Sequence, residues 1–275
     1  MNEIFIGGVS PHIKKNFHIV RFVNRESFAS LKAGNFLIGS IHRNRNFDDA
    51  RGDKGESSVS ISLHSPDGWS FQGAELKRYI GMDPGVKFTG LKGSGKLTLQ
   101  NISLFHGNPL SLSLSMIPKC RDVTQLKLKC EEIRQNLGMP VDVACVLVKN
   151  LDSLIEDITR EIRFCKNTTT KRLISMSGPI KYVTREINTT SVAKYKQKID
   201  LLFYSGILNV DYIFIKAESY RLDNEFRVIW IGHAGPTSKI LRGPLKMDIN
   251  PNSFLIVGNI NFEKHFLDVD AMEIC

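Results

Sequence analysis

Alternation of apolar and polar positions runs through much of this chain, and its most unusual instance comes late. Residues 223–232, Asp-Asn-Glu-Phe-Arg-Val-Ile-Trp-Ile-Gly, alternate as a strand does. Phe226, Val228 and Trp230 share one face, while Asp223, Glu225, Arg227, Ile229 and Ile231 share the other. That second face opens with two carboxylates and a guanidinium, then turns apolar. Acids on an inner face need partners. The pattern therefore predicts a strand that enters from an open crevice and runs into a core, with its acids at the crevice wall. An edge strand with a solvated face, or a Glu225–Arg227 surface pair, explains the same pattern.

The other elements follow from the same reading. Residues 17–23 form a short apolar strand with Arg21 inside it. Asn24 or Ser27 caps a helix over 28–33, Gly34 stops it, and 35–41 is a second strand ending near Ser40. An arginine within an apolar strand must meet an anion, either a protein carboxylate or a ligand phosphate. Residues 44–57 read as a charged loop over the crevice, 58–63 as a strand and 66–73 as a loop. Gly90-Leu-Lys-Gly-Ser-Gly-Lys-Leu97 nearly matches a phosphate-cradling loop. It lacks the final hydroxyl and precedes a strand-like run, so it reads as a Gly-rich hairpin turn that binds no nucleotide. Residues 109–116 alternate most cleanly. Leu110, Leu112, Leu114 and Met116 face a core; Ser111, Ser113 and Ser115 face away, as a half-exposed strand or as a hydroxyl ladder beside a ligand.

Helices are expected over 122–138 and 151–164, a basic helical stretch over 191–203, and strands over 141–148, 179–184 and 212–216. Residues 166–171 read as a loop, and 244–257 close the sheet. Helices and strands intersperse without regular βαβ units. The expected fold class is therefore α+β, with mixed or antiparallel sheets and flanking helices, in one domain over 1–275. No internal repeat, low-complexity segment or linker interrupts it.

Charge changes this picture. The chain has 37 Lys and Arg against 28 Asp and Glu, a net +9, which favours a polyanionic partner such as nucleic acid, or an anionic cofactor. Five cysteines without CxxC pairing argue against a disulfide framework or a zinc site and point to a reducing, cytoplasmic setting. No signal peptide and no apolar run of membrane-spanning length is visible. Asp48, Asp49, Asp53 and Glu56 are acids close enough to suggest a divalent metal. Their spacing is not that of a calcium loop, and Arg51 and Lys54 lie among them.

An Arg in the first strand, a short helix, a strand ending in Ser, and a late strand opening with acid-x-Glu resemble the Arg–Ser–Glu type of ADP-ribosyltransferase. That superfamily includes cholera-toxin-like and clostridial enzymes. Residues 17–40 also look like the opening hairpin of DNA-modifying ADP-ribosylating toxins. With Asn224-Glu225-Phe226-Arg227, the chain resembles bacterial proteins of mobile and defence loci. The resemblance implies an ADP-ribosyltransferase-like fold, NAD as substrate and no metal. Arg21 would hold an NAD phosphate, and Ser40 would take the serine position that orients the acid. Ser113, within the 111–115 ladder, is a rival for that serine position. Glu225 would be the catalytic acid, and Asp223 would stand where the family's acceptor-activating residue stands, a departure from Glu or Gln. All of this requires Arg21 and Glu225 to reach one crevice; placement on opposite faces of the molecule would overturn it. The function implied is toxin-like modification of an intracellular macromolecule, nucleic acid before protein, with an antitoxin protein as a further partner. Two other classes fit the residues: a nucleic-acid-binding protein without catalysis, and a metal-dependent nuclease using the acids at 48–56.

Overall fold

A computed structural model describes residues 4–41, 58–72, 90–103, 109–139, 143–164, 172–184, 186–197, 213–233, 245–248 and 254–258. In chain order the elements are β1 (Phe5–Ile6), α1 (Pro11–Asn16), β2 (Phe17–Val23), α2 (Arg25–Lys32), β3 (Asn35–Ser40), β4 (Ser58–Gln72), β5 (Gly90–Ser103) and β6 (Leu110–Pro118). There follow α3 (Val123–Asn136), β7 (Ala144–Val148), α4 (Leu151–Phe164), β8 (Arg172–Pro179), β9 (Lys181–Val183), β10 (Glu186–Thr189) and β11 (Ile215–Ala217). A 3-10 turn (Glu218–Asp223), β12 (Glu225–His233), β13 (Leu245–Asp248) and β14 (Phe254–Gly258) complete the series. The class is α+β and sheet-rich. Among the described residues no helix is long and apolar enough to cross a membrane.

The chain, read above as one domain, divides into two compact units. The first comprises Met1–Gly52, Asn108–Lys181 and Ser219–Cys275; the second, Asp53–Gly107 and Tyr182–Glu218. In the first, nine strands form one sheet in the order β1-β8-β12-β6-β2-β7-β14, with β3 pairing β6 and β13 pairing β3. Each of these pairings is antiparallel.

Two helices cover the two faces, and their apolar periods show why. In α4, Leu151, Leu154, Ile155, Ile158 and Ile162 recur at helical spacing and are buried. They join Leu112, Leu114, Val146, Val228 and Trp230 in one core. On α3, Leu126 and Cys130 pack with Val20, Ile117, Cys145 and Leu147 on the opposite face. Trp230, fully buried, donates from Nε1 to Thr159 Oγ1 at 2.9 Å, so the largest core side chain leaves no orphan donor.

The second unit holds the three-stranded sheet β10-β4-β5, in which β4 pairs β5 antiparallel and β10 runs parallel to β4. Here the Gly-rich segment departs from the expected turn. Residues 90–96 lie inside β5, paired with the far half of β4, which itself runs on through the expected loop at 66–73. The ladder shifts between Ser65 and Trp69, absorbing Pro66 to Gly68 as a bulge. Gly93 explains the glycine there: a Cβ would stand 2.6 Å from the Trp69 ring, which lies over it.

Three further differences are local. The α2 helix starts earlier than expected because Asn24 Oδ1 accepts from Ser27 N at 2.8 Å. β8 is an additional strand between the loop and the strand expected around it. The late strand begins at Glu225, since Glu218–Asp223 is a 3-10 turn and Asn224 adopts φ 43°.

Candidate functional site

Parity across the ladder decides which side chains meet. Glu225 pairs with Ser115, Arg227 with Ser113 and Ile229 with Ser111. Paired residues of an antiparallel ladder project to the same face. Glu225, Arg227 and the serine ladder therefore share one face, while Phe226, Val228 and Trp230 enter the core on the other. The alternation read from the sequence thus holds from Glu225 onward.

On this face Glu225 is 4% exposed and Arg227 is 0% exposed. The guanidinium approaches one carboxylate oxygen twice: Nε donates to Oε1 at 2.8 Å, and Nη2 lies 2.7 Å from it. Ser113 Oγ donates to that same oxygen at 2.7 Å, reaching diagonally across the ladder. Ser113 is itself exposed. A buried, charge-paired carboxylate thus touches a solvent-facing hydroxyl at Ser113. A guanidinium and a hydroxyl directed at one oxygen fix the orientation of the carboxylate.

The other expected site residues fall elsewhere. Val20 pairs with Ser115, which pairs with Glu225, so Val20 lies on the glutamate's face. Arg21, one residue on, projects to the opposite face of the same sheet. There its guanidinium lies 4.5 Å from the Phe36 ring centroid. It lines a cavity of about 320 Å³ with Glu26, Ser27, Ser30, Asn35 and Lys246, and makes no ion pair with a described carboxylate. Burial pulls it down to about 10. The expectation that Arg21 and Glu225 reach one crevice is therefore corrected, and the thickness of a sheet is the reason.

Ser40 is buried and pairs with Leu110, the residue opposite Trp230. It thus belongs to the core face, five residues along β12 from Glu225, or roughly 17 Å. Between the two candidates for the serine position, it is Ser113 that touches the acid. Asp223 ends the 3-10 turn, and the left-handed Asn224 breaks the two-residue phase that would have aligned it with Glu225. Asn224 holds this junction: its carbonyl accepts from Met116 N at 2.8 Å, and its side-chain amide donates to the Met116 carbonyl. Asn tolerates that backbone better than other non-glycine residues.

Among the described residues no group of three His, Cys, Asp or Glu side chains is placed to hold a metal. Asp48, Asp49, Asp53 and Glu56 lie outside the described residues. Comparison with protein families, with curated proteins and with solved structures found no match to this chain.

Proposed function

We propose that the first unit carries an ADP-ribosyl-transfer centre built on Glu225, with NAD as donor and nucleic acid as the favoured acceptor. The observation that carries this reading is the 2.7 Å bond from exposed Ser113 to buried Glu225, the serine–glutamate half of the constellation the sequence resembles. In the reaction the bond between ribose C1′ and the nicotinamide nitrogen breaks, and its electron pair leaves with neutral nicotinamide. Positive charge grows on the ribose, where a fixed carboxylate lowers the barrier. The acceptor's lone pair then forms the new bond at C1′ and its proton leaves to solvent. Ser113 and Arg227 would serve as positioning residues, holding the carboxylate in place. Arg21 stands on the other face of the sheet, so the full Arg–Ser–Glu constellation is overturned; the proposal rests on the Ser113–Glu225 half alone, and the diphosphate must be held by other groups. The net +9 of the chain supports a polyanionic acceptor.

A second reading is favoured by one specific observation: Glu225 and Arg227 are both buried and paired as an internal ion pair would be. On that reading the pair supports the fold of a nucleic-acid-binding protein without catalysis. Incubation with labelled NAD and total cellular RNA, DNA and protein, with and without magnesium, separates these readings. NAD-dependent label transfer supports the first. Binding of nucleic acid without transfer supports the second, and magnesium-dependent cleavage would replace both with a nuclease.

A further inference from the structure

The end of the nine-stranded sheet where β2 begins and β6 and β7 finish borders a cavity of about 350 Å³. Ile13, Phe17 and Leu151 give it an apolar wall, whereas its charged lining is three lysines, Lys14, Lys119 and Lys149, against one aspartate, Asp152. That aspartate is already engaged: its Oδ1 accepts from Val9 N at 2.9 Å, and Oδ2 meets Lys14. With Lys14 and Asp152 paired, Lys119 supplies positive charge to the lining, and Lys149, which has a contact of its own, stands beside it. The cavity is also where α4 begins, and the start of a helix carries partial positive charge.

A second, independent feature points to a missing partner. His18 lines this cavity, is 4% exposed, and its Nε2 makes no hydrogen bond. A buried ring nitrogen without a partner is uncommon. Burial, then the nearby Lys119, hold the ring down at about 4, so at neutral pH it is an uncharged imidazole. In the tautomer with hydrogen on Nε2 it offers one donor to an anion without adding charge.

We propose that this cavity binds the phosphate of a small organic phosphate, with Lys119, Lys149 and His18 around the phosphate and Leu147, on the same face of the sheet as His18, against the body of the molecule. A nucleoside diphosphate matches a cavity of this size and mixed lining. The site is distinct from Glu225 and does not depend on the transfer reading.

Calorimetry on the full chain tests it, with ADP, adenosine and inorganic phosphate as probes at low salt. ADP should bind, weakening as salt rises, and adenosine should give no heat. Lys119→Glu combined with Lys149→Glu should weaken ADP by about tenfold or more, and His18→Phe by a few-fold. The His18 ring nitrogen resonances should move on adding ADP. Glu225→Gln should lose transfer from NAD and keep ADP affinity, whereas the charge-reversed Lys119, Lys149 variant should lose ADP affinity and keep transfer from NAD, so failure of this site and failure of the transfer centre are read separately. No heat from ADP at millimolar concentration, or unchanged affinity in the charge-reversed variant, would overturn the proposal. Inorganic phosphate binding as tightly as ADP would overturn the assignment of an organic phosphate.

Discussion

Oε1 of Glu225 receives both Ser113 and the Arg227 guanidinium, and those two neighbours have separable consequences. Arg227 is buried, so its removal strands a carboxylate away from water. Arg227→Met should therefore destabilise the fold by roughly 3–5 kcal/mol in denaturant unfolding, and adding Glu225→Gln should restore much of that loss. Equal instability of single and double variants would show that the two charges are not coupled. Ser113→Ala should lower the unfolding midpoint by less than Arg227→Met does, because the carboxylate keeps its guanidinium. It removes one hydrogen bond to a charged group, about 1.5–3 kcal/mol, and transfer should fall by roughly ten- to a hundredfold if orientation matters. Transfer at the wild-type rate would leave the serine with no role in the reaction.

At the scale of elements, alternation revealed faces but not register. Each strand's parity was legible: Arg21 with Ile19 and Val23, Glu225 with Arg227. Which parity of β2 meets which parity of β12 depends on alignments through β6, and a slip of one residue exchanges every side chain between faces. No local signal carries that, so Arg21 was expected beside Glu225 and stands behind the sheet from it. β8 was hidden for a different reason. Ser175 and Ser177 occupy buried positions where an apolar residue would have marked a strand, and the partner of Ser177 is the carbonyl of Gly8, 169 residues away. By contrast α4, with its unbroken helical period, was legible end to end. The Gly-rich stretch misled because glycine marks turns more often than it marks close packing. Gly93→Ala would drive a Cβ into the Trp69 ring and should cost about 1–3 kcal/mol, which Trp69→Ala in the same chain should partly relieve. An unaltered unfolding midpoint for Gly93→Ala would show that the indole moves aside freely.

For the molecule as a whole, the buried charges set a pH response. His18 titrates at about 4 in the folded chain, against an ordinary 6.5, through burial first and Lys119 second. Between those values the unfolded chain binds more protons than the folded one, so stability rises with pH across that window and is lost on acidification. The full effect is at most about 3 kcal/mol. His18→Phe should flatten the urea midpoint between pH 4 and 6.5. Glu131, held near 2 chiefly by its bond from Arg134, acts only below its ordinary 4.5 and so overlaps that window only at its acid end. A wild-type slope that persists in His18→Phe would place the sensitivity in other groups.

The transfer centre itself is tested most directly by Glu225→Gln, with label transfer from NAD, NAD binding and unfolding followed on the same preparation. Gln keeps the shape and one acceptor for Ser113 and Arg227 while removing the charge that matters once the ribose becomes cationic. Transfer should fall by a few hundredfold, about 3–4 kcal/mol. NAD affinity should change little, and the chain should remain folded, though less stable because Arg227 loses its counter-charge. Near-full transfer would contradict a catalytic Glu225. So would a variant that simply unfolds, which would make Glu225 one half of a structural ion pair.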